Sequence, residues 1–234
     1  MGGGGATGWS SSRQGVQPDF GAIIVPLQSR VYPIADTEIL ARRGFQPAAF
    51  VGALLAGGAR LIQFRHKSAY TREAFEQLEE VAALCRLAGA RLIVNDRADF
   101  AAICDAGLHV GQDDMPPALA RRVMGERMLG LSTHTAAQLR AAAEEPVDYV
   151  ALGPIFSTDS KRNAEAEVGV QNLKCWRELT PKPLVAIGGI TLDNARAVLD
   201  AGADCVAVIG GLLPESNESG LVKARMETWI KLVQ

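Results

Sequence analysis

The chain has 234 residues, of which 48% are hydrophobic and 21% are charged. This length suits one large domain or two small ones, and the apolar content is sufficient for a sizeable core. The formal net charge of −2 gives no long-range attraction for nucleic acid or an anionic membrane. Any site that binds an anion must therefore be local.

Cysteine usage and the amino-terminal segment indicate a cytoplasmic protein. The cysteines are far apart and form no CxxC pair, so we expect reduced thiols rather than a zinc site. No apolar run approaches the about 20 residues that span a bilayer. Residues 1–12 are rich in Gly and Ser, which predicts a flexible tail within a lead-in covering residues 1–30. The cysteines are Cys85, Cys104, Cys175 and Cys205.

Short apolar runs recur from residue 31 onward and alternate with longer amphipathic segments. Continuous apolar runs of four or five residues are typical of strands that are buried on both faces of a parallel sheet. We therefore predict eight strands, at residues 31–35, 60–64, 91–94, 107–110, 128–131, 148–152, 183–187 and 205–209.

The segments between these runs predict helices. Between residues 75 and 85, apolar side chains recur at spacings of three and four. Thr71 is suited to cap this helix, and Gly89 is suited to end it. A second helix is predicted after the capping residue Thr135, and a third is predicted to begin at Thr191.

Eight strand–helix units without an evident domain break predict a single-domain (β/α)8 barrel over residues 31–234. An open, doubly wound sheet is the alternative, and it would usually carry a glycine-rich turn after its first strand. Here Ala35, Asp36 and Thr37 follow that strand, which favours the barrel.

Polar residues follow most of the predicted strands, at the end of the barrel where this fold places active sites. After the second strand, Gln63, Arg65 and Lys67 alternate to one face of an extended chain. Buried cations require an anion, so we interpret this trio as a diphosphate-binding cluster. The alternative is a surface ladder at the end of the strand.

Two aspartates follow neighbouring strands, with Asp96 after the third and Asp114 after the fourth. Like charges at short separation require a cation, and Mg²⁺ accepts one or two carboxylates together with water and phosphate. The alternative is that Asp96 caps the next helix, while Asp113 and Asp114 belong to a solvated turn. The residues alone leave both interpretations open.

The remaining strand ends carry hydroxyl groups, a lysine and glycine pairs. Ser132 can hydrogen-bond a substrate, whereas His134 is more typical of a structural histidine. Lys161 lies in a long segment after the sixth strand and provides a point charge for phosphate. The glycine pairs at 188–189 and 210–211 allow backbone N–H groups to approach a phosphate. Two anion sites are therefore predicted.

Taken together, the motifs resemble the thiamine-phosphate synthase family. They occur in the family's order and cover residue 31 to about residue 215. The matching segments are IQFRHK (62–67), NDRADFA (95–101), GLHVGQDD (107–114), GLSTHT (130–135), GPIFSTDSK (153–161), AIGGIT (186–191) and AGADCVAVI (201–209).

The resemblance implies a Mg²⁺-dependent enzyme that couples a pyrimidine diphosphate to a thiazole phosphate. It assigns Mg²⁺ to Asp96 and Asp114. It assigns catalytic contacts to Arg65, Lys67, Ser132 and Lys161. It assigns the pyrimidine diphosphate to Gln63, Arg65, Lys67, Asn95, Ser132 and Lys161. It assigns the thiazole phosphate to Thr158, Ser160, Gly188, Ile209 and Gly210, with Asp159 in the same substrate-binding loop.

Two positions depart from the family pattern. Ser160 stands where the family commonly has Thr, and Gly210 stands where it often has Ser, which puts one phosphate hydrogen bond in doubt. A thiazole tautomerase of the same superfamily and a non-catalytic phosphate-binding barrel remain as alternatives. The expected partners are small molecules rather than nucleic acid or membrane, and a homo-oligomer is possible.

Overall fold

The computed structural model describes residues 1, 27, 29–157 and 166–234. Eight parallel strands form a closed barrel in which neighbours pair in chain order and the last strand pairs with the first. The predicted barrel is confirmed, and the open sheet is wrong. The strands are β1 (Val31–Asp36), β2 (Leu61–Arg65), β3 (Arg91–Asn95), β4 (Gly107–Val110), β5 (Leu129–Thr133), β6 (Tyr149–Leu152), β7 (Leu184–Ile187) and β8 (Cys205–Val208).

Helices connect the strands on the outside of the barrel. Short 3-10 turns at Arg177–Leu179 and Gly210–Leu212 precede β7 and follow β8. The helices are α1 (Thr37–Arg42), α2 (Pro47–Ala56), α3 (Arg72–Leu87), α4 (Ala98–Ile103), α5 (Pro117–Met124), α6 (Ala136–Glu144), α7 (Gly169–Trp176), α8 (Ala195–Asp200) and α9 (Ser219–Val233).

Two predicted helix caps are confirmed, and one predicted helix start is wrong. The hydroxyls of Thr71 and Thr135 accept backbone N–H groups at the starts of α3 and α6. The helix predicted from Thr191 begins only at Ala195. The Asn194 side chain accepts the Thr191 N–H at 2.8 Å and holds the intervening residues in a turn.

Strand side chains alternate between two hydrophobic cores. Tyr32 and Ile34 of β1 belong to a cluster inside the barrel. Val31 and Ala35 belong to a larger cluster between the strands and the helices. Every strand is therefore buried on both faces, which is why the strands are almost continuously apolar in sequence.

The structure also bears on the cysteines and on the search for membrane-spanning helices, but not on most of the predicted tail. All four cysteines are free thiols. Among the described residues, no helix is long and apolar enough to cross a membrane. The predicted tail lies outside the described residues, except for Met1.

Helix α9 closes the outer layer by packing against α2 and β1. Trp229 of α9 is fully buried, and its indole N–H donates to the Gly211 carbonyl at 3.2 Å. The end of α2 approaches α9 closely. A Cβ atom added at Gly57 would lie 2.7 Å from the Lys223 carbonyl oxygen. Trp229 also packs closely beside Gly211, where a Cβ atom would lie 3.2 Å from its ring.

Truncating this side chain should destabilise the barrel strongly. We expect Trp229→Ala to lower the free energy of unfolding by about 3–5 kcal/mol, because removing a fully buried indole leaves a cavity that its surroundings fill only in part. Leu221→Ala on the same helix removes an exposed side chain, and we expect a change within about 0.5 kcal/mol. Urea unfolding monitored by circular dichroism measures the free energy of unfolding of both variants. Equal losses would contradict the role of Trp229 as a buried core side chain.

Candidate active site

A cavity of about 520 Å³ opens at the carboxyl ends of the strands. Most of the site residues predicted within the described part of the chain line it, although they come from five different strand ends. These residues are Gln63, Arg65, Lys67, Asn95, Asp96, Asp114, Ser132 and Ile209. Thr158, Asp159, Ser160 and Lys161 lie outside the described residues. The barrel thus brings most of the predicted set to one opening.

The glycine pair after β7 is explained by packing as well as by any ligand. A Cβ atom at Gly188 would lie 2.6 Å from Pro154, and one at Gly189 would lie 2.6 Å from the Ser157 carbonyl oxygen. Gly210 differs, because a Cβ atom there would meet no described atom within 4 Å. The departure from serine at Gly210 is therefore not required by packing against the described residues.

Gln63 and Arg65 of β2 face into the barrel, and Lys67 lies beyond the end of the strand. Exposure decreases towards the interior, since the Lys67 side chain is 41% exposed and the Arg65 side chain 16%. The alternative of a surface ladder is therefore wrong for Gln63 and Arg65. Arg65 pairs with the buried carboxylate of Asp36, and Lys67 pairs with Asp96.

Asp96 occupies an unusual backbone conformation. Its φ is +64°, and the Arg97 N–H donates to the Asn95 carbonyl at 2.8 Å, which encloses Asp96 in a tight γ-turn. A second backbone hydrogen bond, from the Asp96 N–H to the His109 carbonyl at 2.8 Å, ties this turn to β4. Helix α4 is capped by Arg97 without a side-chain hydrogen bond, so the alternative that Asp96 caps this helix is wrong.

The Asp96 and Asp114 carboxyl groups both line the cavity, and the two groups interact. Burial raises the pKa of Asp96 above its ordinary value; the hydrogen bond from Lys67 lowers it, and Asp114 raises it further. Asp114 also accepts the Gly111 N–H at 2.7 Å, so the turn interpretation is correct for part of its role. Two carboxyl groups in contact require a proton, a lysine or a metal cation between them.

The acidic pair is a sparse donor set. Within the ranges that the structure describes, no cluster of three or more His, Cys, Asp or Glu side chains could hold a metal by itself. Such a site does not suit zinc, which requires three or four protein ligands. It suits a hard cation that keeps several waters or takes ligand phosphates, as Mg²⁺ does.

The cavity floor is a chain of buried hydrogen bonds that the sequence analysis missed in part. Gln63 donates to the Tyr32 hydroxyl at 3.0 Å, and the hydroxyls of Tyr32 and Tyr149 lie 3.1 Å apart. The ring nitrogens of His109 lie 2.9 Å from the Tyr149 hydroxyl and 2.8 Å from Ser132 Oγ. Burial raises the pKa of both tyrosines, so their hydroxyls stay protonated as hydrogen-bond donors.

Two signals in the sequence could have revealed the missed residues Tyr32, His109 and Tyr149. A histidine within an otherwise apolar run is expensive to bury without a partner. A glycine within a strand indicates close approach of a neighbour, and a Cβ atom at Gly130 would lie 2.1 Å from the Tyr149 ring. Neither signal identifies the partner, because the contacts join strands that are far apart in sequence.

Asn95 and His134 complete the described rim. The buried Asn95 side-chain N–H has no hydrogen-bond partner among the described groups, which leaves a donor available to a ligand. His134 Nδ1 lies 2.6 Å from the Gly153 carbonyl oxygen. Because a carbonyl only accepts, this nitrogen carries the proton, and the contact links the β5 and β6 ends as a structural histidine would.

A family model described as thiamine monophosphate synthase matches residues 31–212. The chain belongs to the thiamine monophosphate synthase family. A thiamine-phosphate synthase of Chloroflexus aurantiacus is 44% identical over 185 residues, which cover 79% of this chain and 85% of the relative. One of Koribacter versatilis is 44% identical over 196 residues, with coverage of 81% and 91%.

Solved structures agree with membership of the thiamine monophosphate synthase family. A thiamine phosphate pyrophosphorylase from Pyrococcus furiosus aligns with a TM-score of 0.75 and 32% identity, covering 87% of this chain and 95% of that one. A thiamine phosphate pyrophosphorylase from Bacteroides thetaiotaomicron aligns with a TM-score of 0.65 at 16% identity, which supports the fold alone.

The positive φ of Asp96 has a measurable consequence for stability. Glycine adopts this conformation without a Cβ clash, so we expect Asp96→Gly to be more stable than Asp96→Ala by about 1 kcal/mol. At Asp99, inside α4, the order should reverse, with Ala favoured by roughly 0.5 kcal/mol. Chemical denaturation of the four variants tests this, and the same order at both positions would contradict the γ-turn.

Proposed function

We propose that this chain is a thiamine-phosphate synthase, a transferase of alkyl groups. It would couple 4-amino-2-methyl-5-hydroxymethylpyrimidine diphosphate to 4-methyl-5-(2-phosphoethyl)thiazole, with thiamine phosphate and pyrophosphate as products. The observation that carries the proposal is the convergence of two carboxylates and two cations above a buried polar floor. The curated relatives bearing that name support it. Residues 31–234 would form the catalytic domain.

Asp96 and Asp114 would hold Mg²⁺. The support is their direct contact, the raised pKa of buried Asp96 and the small number of protein donors around them. When bound, Mg²⁺ supplies positive charge that stabilises the leaving pyrophosphate. Lys67 already offsets part of the negative charge at Asp96, so it lies where a diphosphate ligand and a metal would meet.

Arg65 and Lys67 would bind the diphosphate, with Lys161 as a third cation. Arg65 is mostly buried and presents a planar fork of N–H donors, which suits bidentate contact with phosphate oxygens. Lys67 is more exposed and would act as a point charge at the rim. An anion that enters from solvent would meet the more exposed Lys67 first and Arg65 deeper in the cavity.

The floor would bind the pyrimidine ring. An aminopyrimidine carries both donors and acceptors on its edge, and Gln63, Asn95 and Ser132 provide amide and hydroxyl groups around the cavity. The unpartnered Asn95 N–H is the strongest support, because a buried donor is costly until a ligand accepts from it. Ser132 is held by His109 and is therefore ordered before binding.

The reaction requires no protein nucleophile. The bond between the pyrimidine methylene carbon and the diphosphate oxygen breaks, and its electron pair leaves with pyrophosphate. The thiazole nitrogen then gives its lone pair to the methylene carbon and forms the new C–N bond. The residues supply positioning and charge stabilisation, which accounts for much of the rate enhancement in reactions of this kind.

The thiazole phosphate would lie towards β7, β8 and the β6 loop. Ile209 lines the cavity, and the neighbouring Gly188 and Gly210 are the predicted backbone contacts. Thr158, Asp159 and Ser160 complete this part of the proposal. No described atom lies within 4 Å of the position of a Cβ atom at Gly210, and contact there would come from the backbone N–H because glycine carries no side chain.

A thiazole tautomerase is the second candidate from the same superfamily. It uses no diphosphate, so a buried Arg65 and the acidic pair would have no purpose there. Pyrophosphate release separates the candidates, because the synthase should release it only with both heterocycles and Mg²⁺, and EDTA should stop it. A folded chain that releases none would contradict the proposal.

Asp114 provides the sharpest test of the metal site. Asp114→Asn keeps an oxygen for the Gly111 N–H but removes the charge, so we expect kcat to fall by about 100-fold or more. Asp105→Asn is the matched control, since Asp105 lies in an exposed ion pair before β4 at the opposite end of the barrel. Unchanged turnover in Asp114→Asn would refute the metal role.

A further inference from the structure

Asp36 is a buried carboxylate beside the cation that the proposed function assigns to diphosphate. It ends β1, its side chain is 3% exposed, and it pairs directly with Arg65. The Cα atoms of Asp36 and Arg65 are register partners in the pairing of β1 with β2. A negative charge so close to an anion site weakens attraction for the anion, so its presence requires another reason.

The two carboxylate oxygens of Asp36 have separate tasks. Oδ1 accepts the Ile39 N–H at 3.0 Å and caps α1, whereas Oδ2 accepts from Nη1 of Arg65. The cap holds the carboxylate still, because it cannot turn without breaking the first turn of the helix. Arg65 is therefore attached to a fixed point rather than to a flexible surface acid.

Neighbouring residues repeat this connection between α1 and the end of β2. Thr37 Oγ1 lies 2.7 Å from His66 Nδ1, and Ser68 donates to Glu38 at 2.9 Å. Together with the Asp36–Arg65 pair, these contacts hold the segment 65–68, which carries both described cations of the cluster. Only the Asp36 contact reaches a side chain that lines the cavity.

We propose that Asp36 is a positioning residue that orients the Arg65 guanidinium for the substrate diphosphate; this rests on the proposed function. A guanidinium has five N–H donors in a rigid plane, so engaging Nη1 with Asp36 restricts the orientation of that plane and leaves the Nε and Nη2 donors available to a ligand. An arginine held in advance loses less conformational freedom when it binds phosphate. That gain outweighs the repulsion between Asp36 and the ligand.

Asp36→Asn tests the proposal because asparagine is an equally good helix cap. Its single oxygen can accept the Ile39 N–H, but the amide N–H₂ then faces Arg65 and offers no acceptor. We expect the Kd of inorganic pyrophosphate, measured with Mg²⁺, to rise about tenfold. We expect the KM of the pyrimidine diphosphate to rise by a similar factor. The KM of the thiazole phosphate should stay close to wild type, whereas the thermal unfolding midpoint should fall because Arg65 loses its buried partner.

Glu38→Gln is the control for general disturbance of the turn, because the Glu38 carboxylate accepts from the exposed Ser68 and is not among the side chains that line the cavity in the described part of the chain. We expect pyrophosphate affinity equal to that of wild type. Arg65→Ala alone and combined with Asp36→Asn completes a double-mutant cycle. If Asp36 acts through Arg65, adding Asp36→Asn to Arg65→Ala should weaken pyrophosphate binding no further.

The outcomes separate this inference from the proposed function. Loss of affinity in Arg65→Ala, with unchanged or tighter binding in Asp36→Asn, would overturn the positioning role and leave the function standing. An equal loss from Asp36→Asn in both backgrounds would also overturn it. If Arg65→Ala itself binds pyrophosphate normally, Arg65 is no diphosphate ligand, and both the role of Asp36 and that part of the site assignment fall.

Discussion

Closure of the parallel sheet is the constraint on which the rest of this structure depends. Because β8 pairs with β1, every strand has two neighbours and all eight carboxyl ends meet in one ring. Residues as distant in sequence as Arg65, Asp114 and Ile209 therefore line one cavity. Because each strand is buried on both faces, the charged side chains of the site lie at these ends, and the polar side chains within the strands are hydrogen-bonded to one another.

The charged residues at this ring include features that destabilise the chain while no ligand is bound. Asp96 combines a positive φ with a pKa raised by burial, and it contacts a second carboxyl group. Lys67 and Arg65 each pair with an aspartate, so the cations and anions partly neutralise one another. Backbone strain and like-charge contact of this kind concentrate at functional sites, where a ligand can relieve them.

Membership of the thiamine monophosphate synthase family and the site geometry support the same function from independent directions. The match extends over residues 31–212 and covers the whole barrel through β8. The structure also reveals a contact that sequence similarity does not show. Asp36 accepts hydrogen bonds both from Arg65 and from the first turn of α1. The structure further shows that Gly188 and Gly189 are packed against the β6 loop, whereas a Cβ atom at Gly210 would meet no described atom within 4 Å.

The sequence by itself determined the order and approximate bounds of the eight strands, since apolar runs and helix signals such as Thr71 and Thr135 are local properties. It also placed the polar residues at strand ends. Only the tertiary structure decided that Asp96 belongs to a γ-turn rather than a cap, and that Tyr32, His109 and Tyr149 form the cavity floor. Those outcomes depend on hydrogen bonds between strands that are distant in the chain, and such pairings leave no periodic pattern in the sequence.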